Sequence, residues 1–380
     1  MIEPFQGWWY AGRAAVAPVR DALSEELRQR LYEDPHQALH VAFPKNLQQA
    51  RARWNEWIQK RVVVQEPVPA LYAYSQTFHM VGQERGPFTR IGIVGLLPAG
   101  TAVLPHERTI AERESGLIET LQFLRVQATP VHILAEADWG KVERIVREAL
   151  VCPRLSVAGW DGVMHRVVPI QQTGMLQTLQ EAFQGAKLYI ADGHHRWQAV
   201  RRAGLQKLLV FLTDKADPTL WVPSAHRLLW TEEDVLEACK EYFDIRAAGA
   251  RVALWQEVMG LRHAVGILAP QRQAWTLRLR PKYWELLEQR PLISWLHEWV
   301  IDPMVSRGGR LEFGREWGSL AHRAQVEKAW VFALPPLKIT DVFHAAEKGQ
   351  PLPPKATYFF PKVMSGLVFY EEKGPTQSPA

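Results

Sequence analysis

Tyr189-Ile190-Ala191-Asp192-Gly193-His194-His195-Arg196 runs from an apolar segment straight into a knot of polar and charged residues. Leu188 to Ala191 predicts a buried strand, and Gly193 to Ala203, with Ala199, Val200 and Ala203 on one face, predicts a helix. An Asp placed directly before a helix caps it by accepting the N–H of the third helical residue, here His195. Gly193 lets a ligand approach the main chain. The unpaired amides and the dipole of the helix start favour an anion, and His194, His195 and Arg196 add donors at the same place. Arg196 presents a planar fork suited to phosphate, whereas an imidazole can donate, bind a metal or move a proton near neutral pH. The turn is therefore read as a phosphate-binding active-site turn. The alternative is an ordinary capped helix start with solvated side chains, and four ionisable residues within five positions weigh against it.

Working outward, the flanking chain alternates strands and helices. Helices are expected within residues 20 to 60 (Leu23, Leu27 and Leu31 at helical spacing, then Leu47 to Lys60), with a short strand at His40-Val41-Ala42-Phe43-Pro44 between them. Strands are expected at Val62 to Val64, Ala70 to Tyr74 and Arg90 to Leu97, the last two flanking a hairpin turn at 82–87. Glu112 to Arg125, 140–150 and Met175 to Gln184 read as helices, and Val131 to Leu134, Met164 to Val168 and Leu208 to Leu212 as strands. Strict βα alternation is missing, so the class is α+β. The domain reading is a core at 1–230 carrying the Asp192 turn and a C-terminal α+β lobe at 231–373. In that lobe helices are expected at 233–243 and 282–289, a strand at Trp275 to Leu279, and a final strand at Gly366 to Phe369 that returns to the core. A disordered tail is expected at 374–380.

Composition bounds the function. Apolar residues make up 47 % and charged residues 22 % of 380, with no run long enough to span a membrane. Met1-Ile2-Glu3-Pro4-Phe5 carries an early acid and no basic n-region, so a cytoplasmic protein is expected. A net charge of +5 without a Lys/Arg cluster argues against nucleic acid and suits small anionic metabolites. Cys152 and Cys239 lack metal or disulfide spacing and read as small buried hydrophobes. Walker, dinucleotide, HExxH and GxSxG patterns are all absent.

The run Tyr189 to Arg196 followed by Ala199 resembles the family catalogued as domain of unknown function 1015. Further matching stretches are Ile2-Glu3-Pro4-Phe5, Pro105-His106-Glu107-Arg108-Thr109, Asp217-Pro218, Ala225-His226-Arg227-Leu228, and Pro353 to Lys362 with Ser365-Gly366-Leu367. The likeness spans nearly the whole chain. Its DGHHR segment is similar to the corresponding turn of ParB/sulfiredoxin-like proteins, which include free-serine kinases and nucleotide-binding partition proteins. The resemblance thus implies a mixed-sheet core with a ParB/sulfiredoxin-like element, and phosphate or nucleotide handling. Two departures stand out: Gly116-Leu117 where the family tends to carry Asp-Arg, and Val19-Arg20-Asp21 where it carries Pro-Tyr-Asp.

On that footing the expected function is a phosphotransferase or phosphate-ester enzyme acting on a small hydroxylated metabolite, serine-kinase-like, with Mg²⁺ and ATP or ADP. Glu107, on a loop before a helix, is the expected base for the hydroxyl; without the family match it would read as a solvated carboxylate. Asp192 holds the metal or orients a histidine, and His194, His195 and Arg196 stabilise the phosphoryl charge. Gly193, His106, His226, Arg227 and Lys355 complete the phosphate or nucleotide contacts. Lys355 also fits an edge strand bordered by Pro and Lys, and His165 fits a hydrogen-bonded core histidine. The rival readings are a nucleotide-responsive binding protein of ParB-like type and a metal-dependent hydrolase.

Overall fold

The computed structural model describes residues 1–20, 23–80, 86–248, 254–271 and 273–373, without the side chains of 111–113. The chain divides into two compact units: Met1–Leu104 with Thr109–Leu220 and the segment from Pro361, and Pro105–Arg108 with Trp221–Phe360. Mixed strands and helices in both make the protein α+β.

The first unit is built on a seven-stranded sheet. Its strands are β1 (Leu71–Phe78), β2 (Phe88–Pro98), β3 (Val131–Glu136), β4 (Leu155–Ala158), β5 (Met164–Ile170), β6 (Lys187–Asp192) and β7 (Lys207–Asp214), in the order β4-β5-β1-β2-β7-β3-β6. Only the β7–β3 pair is parallel. Phe78 lies opposite Phe88, as the expected hairpin requires, while 82–85 of its turn lie outside the described residues.

Side chains alternate across a strand, so each face of this sheet has its own content. One face carries Ala73, Ile93, Ile133, Ile190, Val210 and Leu212. It packs under helices α1 (Ala111–Leu124), α2 (Trp139–Ala149), α3 (Thr173–Ala182) and α4 (His194–Arg202). The other face carries Tyr72, Tyr74, Val94, Leu209 and Phe211 and is covered by Val363, Met364, Leu367 and Val368. The chain after Pro361 therefore lies over the face opposite the helices. There the expected strand at 366–369 is a turn instead, with Gly366 at φ +86; a Cβ on it would meet the Ala38 Cβ at 2.6 Å. Tyr370–Glu371 pairs with Val126–Gln127.

The second unit holds a six-stranded antiparallel sheet. Its strands β8 (His226–Trp230), β9 (Phe243–Ala247), β10 (Ala264–Leu268), β11 (Ala274–Leu279), β12 (Arg310–Gly314) and β13 (Trp330–Ala333) run in the order β9-β11-β10-β13-β8-β12. Of the helices expected here, 233–243 is a single short helix, Val235–Cys239, capped by Asp234, and 282–289 is a 3-10 helix at Pro281–Glu288.

Two other expectations are corrected. His40 to Pro44 is no strand; Leu39–Ala42 is a helical turn, because so short an apolar run carries no period that separates the two states. Cys239 is buried but Cys152 is exposed, since it falls in the turn that ends α2. The tail 374–380 lies outside the described residues. No helix among the described residues is long and apolar enough to cross a membrane.

Candidate functional site

The strand-turn-helix at 192 forms as read, but its parts act differently. Asp192 ends β6, and Gly193, at φ +99, is the N-cap residue of α4. A Cβ at Gly193 would sit 2.9 Å from the Arg196 guanidinium, in a backbone region that L-residues avoid. Two cations hold Asp192. Arg196 Nη2 donates to Oδ2 at 2.8 Å and the Lys362 ammonium donates to Oδ1. Arg196 also donates to the carbonyls of Thr129 and Pro130. The Asp192–Lys362 pair is largely buried, with side-chain exposures of 20 % and 10 %. His195 is held at Nε2, which accepts the Ile110 N–H at 2.9 Å and so fixes its proton on Nδ1. His194 is buried at the first helical position.

These groups continue a polar row on the covered face of the sheet. His165, Gln76 and Arg90 are direct cross-strand neighbours on β5, β1 and β2. Beyond them come Thr213 on β7 and His132 on β3, bonded to each other at 2.9 Å, and His132 lies opposite Asp192 across a register shift. All but Asp192 are buried. Lys362 ties the row together, for its carbonyl accepts Gln76 Nε2 at 3.0 Å while its ammonium holds Asp192. Burial first, and then the charges of Arg90, Lys362 and Arg196 against that of Asp192, hold His132 well below its ordinary value, so it is neutral. Burial lowers Arg90 to about 10, which leaves it charged at neutral pH. His165 accepts or donates at Nδ1 with Tyr74 Oη at 2.6 Å, the core role expected of it.

The remaining expected site residues lie in the second unit. His106, Glu107, Arg227 and Lys355 meet there on the segment 353–357. Leu352 pairs with Glu107, its N–H donating to the His106 carbonyl at 2.8 Å. Glu107 Oε1 accepts the Lys355 N–H, and Oε2 accepts the N–H and hydroxyl of Thr357, at 2.8 to 3.1 Å. The Thr357 hydroxyl, having donated to Glu107, accepts from His106 Nε2 at 2.9 Å. Arg227 is fully buried and donates to the carbonyls of Ala225, Pro354 and Lys355. Its Nε donates to His297 Nε2 at 3.1 Å, and His297 Nδ1 donates to Asp302 at 2.7 Å. Burial pushes His297 down to about 4, in keeping with this neutral tautomer. Lys355 adopts the left-handed region at φ +57, with its N–H on Glu107 and its carbonyl on Arg227. His226 points to the opposite face of β8, between Trp255 and Trp317, and its Nδ1 accepts the Leu334 N–H at 3.1 Å.

Asp192, the carboxylate expected to hold a metal, has both oxygens engaged by cations. Lys362, Arg90, His132 and Thr357 were given no role by sequence reasoning. The signal for Arg90 and His132 was a charged or polar residue inside an apolar strand, which is rarely buried without a reason.

A family model described as "Protein of unknown function (DUF1015)" matches residues 2–299. No curated protein matches the chain. Among solved structures, a free serine kinase in complex with AMP is 13 % identical, over 72 % of this chain and 92 % of that one, with a TM-score of 0.42. SbnI with a C-terminal truncation, from Staphylococcus aureus, is 12 % identical over 72 % and 87 %, at 0.42. A conserved hypothetical protein from Pyrococcus furiosus is 11 % identical over 72 % and 94 %, at 0.40.

Proposed function

The chain belongs to the family of proteins of unknown function DUF1015, and for this member we propose a phosphate-handling role, in which the turn after β6 binds the phosphate of a nucleotide or phosphorylated metabolite. The observation that carries this reading is the excess of cations around one carboxylate. Lys362 and Arg196 both face Asp192, Arg90 lies on the same sheet face, and α4 adds its positive end. An arriving phosphate meets net positive charge without a metal.

The reaction best matched to such a site is phosphoryl transfer to the hydroxyl of a small metabolite, with ATP or ADP as the nucleotide. Positioning and charge stabilisation do most of the work in such transfers, and both can come from fixed cations and helix amides. Asp192 is then a positioning residue that aims Lys362 and Arg196. Gly193 makes room for the Arg196 guanidinium against the main chain, and His194 and His195 stand at the amide end of α4 as donors.

A second reading, binding without turnover, is favoured by one observation. Glu107, the expected base, has three donors on the roughly four lone-pair sites of its carboxylate. Incubation of the intact chain with ATP and a panel of hydroxylated metabolites, read by phosphorus NMR, separates the two. Stoichiometric appearance of a phosphorylated metabolite supports the kinase-like reading. Thermal stabilisation by nucleotide with no phosphorylated product supports the binding reading. No stabilisation by any phosphate compound removes both.

A further inference from the structure

Arg90 is buried to 0 % exposure, yet among the described residues only one of its three nitrogens finds a hydrogen-bond partner. Nη2 donates to the carbonyl and hydroxyl of Thr219 at 2.8 and 3.2 Å, and Nε faces Asp217 at 3.6 Å, too far for a hydrogen bond. Nη1, with two N–H donors, has no hydrogen-bond partner among the described residues. On the adjacent strand Gln76, also at 0 % exposure, donates through Nε2 to the Lys362 carbonyl and leaves Oε1 without a donor. Burying a charged donor and an amide acceptor unpaired is costly, and native proteins rarely tolerate it without a ligand, water or ion to fill the gap. Phe78, 5.5 Å from the guanidinium, closes another side with an apolar ring.

The two unpaired groups adjoin the phosphate site. Gln76 and Arg90 are cross-strand partners, and Lys362 reaches from Gln76 to Asp192. Asp217 and Thr219, which grip Arg90 from the far edge, flank Pro218 in the Asp217-Pro218 pair that shares the family pattern and otherwise has no task. They hold the guanidinium in one orientation.

We propose that Arg90 is a second anion-recognition residue of this site, its Nη1 binding the carboxylate of the same small ligand whose phosphate lies at the Asp192 turn, with Gln76 Oε1 accepting from a donor group beside that carboxylate. The inference rests on the phosphate reading of the turn. Charge favours a carboxylate over a second phosphate: with Asp217 beside the guanidinium the pair is formally neutral, so a monoanion adds one uncompensated negative charge where a dianion adds two.

Isothermal titration of the full chain with O-phosphoserine and O-phosphoethanolamine tests this, because the two probes share phosphate and amine and differ only in the carboxylate. Wild type is expected to bind phosphoserine at least about tenfold more tightly, a difference of about 1.4 kcal/mol. Arg90→Gln should bring that ratio close to one while phosphoethanolamine affinity holds, and Arg90→Lys should retain part of the preference. Should Arg90→Gln fail to fold, the wild-type ratio and Gln76→Leu, which removes the unpaired acceptor, decide the matter. Equal wild-type affinity for the two probes overturns the role of Arg90 and leaves the phosphate site standing. Failure of both probes and of ADP to bind overturns the phosphate reading, and the inference with it.

Discussion

The turn at 192–196 and the segment at 353–357 are both rich in charge, and they use it in opposite ways. At the turn, Lys362 and Arg196 share Asp192, Arg196 donating also to the carbonyls of Thr129 and Pro130, which leaves a surplus of positive charge on the sheet face. At 353–357, side chains address the main chain: Glu107 takes the amides of Lys355 and Thr357, and Arg227 takes three carbonyls. A guanidinium spent on carbonyls has its donors committed to holding a loop, so burial and ionisability alone do not mark a binding residue. What separates the two regions is what holds the carboxylate: two cations at Asp192, main-chain amides and a hydroxyl at Glu107.

The sharpest way to break this comparison is Arg227→Met. It leaves three buried carbonyls without their donor, and the expected cost is about 3–5 kcal/mol in urea denaturation. A loss below about 1 kcal/mol would show that the loop does not depend on it. Acid comes next. Burial holds His165, His226 and His297 at about 4 in the folded chain. Their unfolded values lie near 6.5, so between those limits the unfolded state binds more protons and stability falls as pH falls. From pH 7 to pH 5 each contributes a loss of about 2 kcal/mol. A denaturation midpoint that stays level over this range contradicts the neutral buried assignment.

Glu107→Gln sets an NH₂ group against a donor and should cost about 1–3 kcal/mol by the same denaturation. A change in nucleotide affinity with stability intact would return Glu107 to the binding machinery. The smallest effect is Lys355→Gly. Relief of the left-handed backbone at φ +57 should offset the entropy of glycine and raise stability by up to about 1 kcal/mol. A loss instead would mean the Lys355 side chain holds the segment by itself.

How far the sequence could be read follows the same division. Strongly periodic elements were legible: Ser24 caps its helix, and Leu47 to Lys60, β1, β2, β6 and α4 lie close to their expected positions. The Asp192 turn was legible because an apolar strand runs directly into ionisable residues. Its chemistry was not. Of the two cations on Asp192, Arg196 is four residues on, but Lys362 lies 170 positions away, beyond the reach of local spacing. The row from His165 through Gln76 and Arg90 to His132 depends on strand order, and no periodicity reveals which strands are neighbours. Thr357 stayed hidden for the same reason: only pairing of 105–108 with Leu352 brings it to Glu107.

In the proposed reading the turn binds phosphate by its own cations, with Asp192 aiming them and no metal intervening. Calorimetric titration of ADP into the intact chain, without divalent ions, tests it most directly through Lys362→Met and Asp192→Asn. The account predicts binding by wild type, at least about tenfold weaker binding by Lys362→Met, and binding by Asp192→Asn that persists because removal of the carboxylate leaves more positive charge. Binding that requires a divalent ion and vanishes in Asp192→Asn, or is indifferent to Lys362→Met, would contradict it.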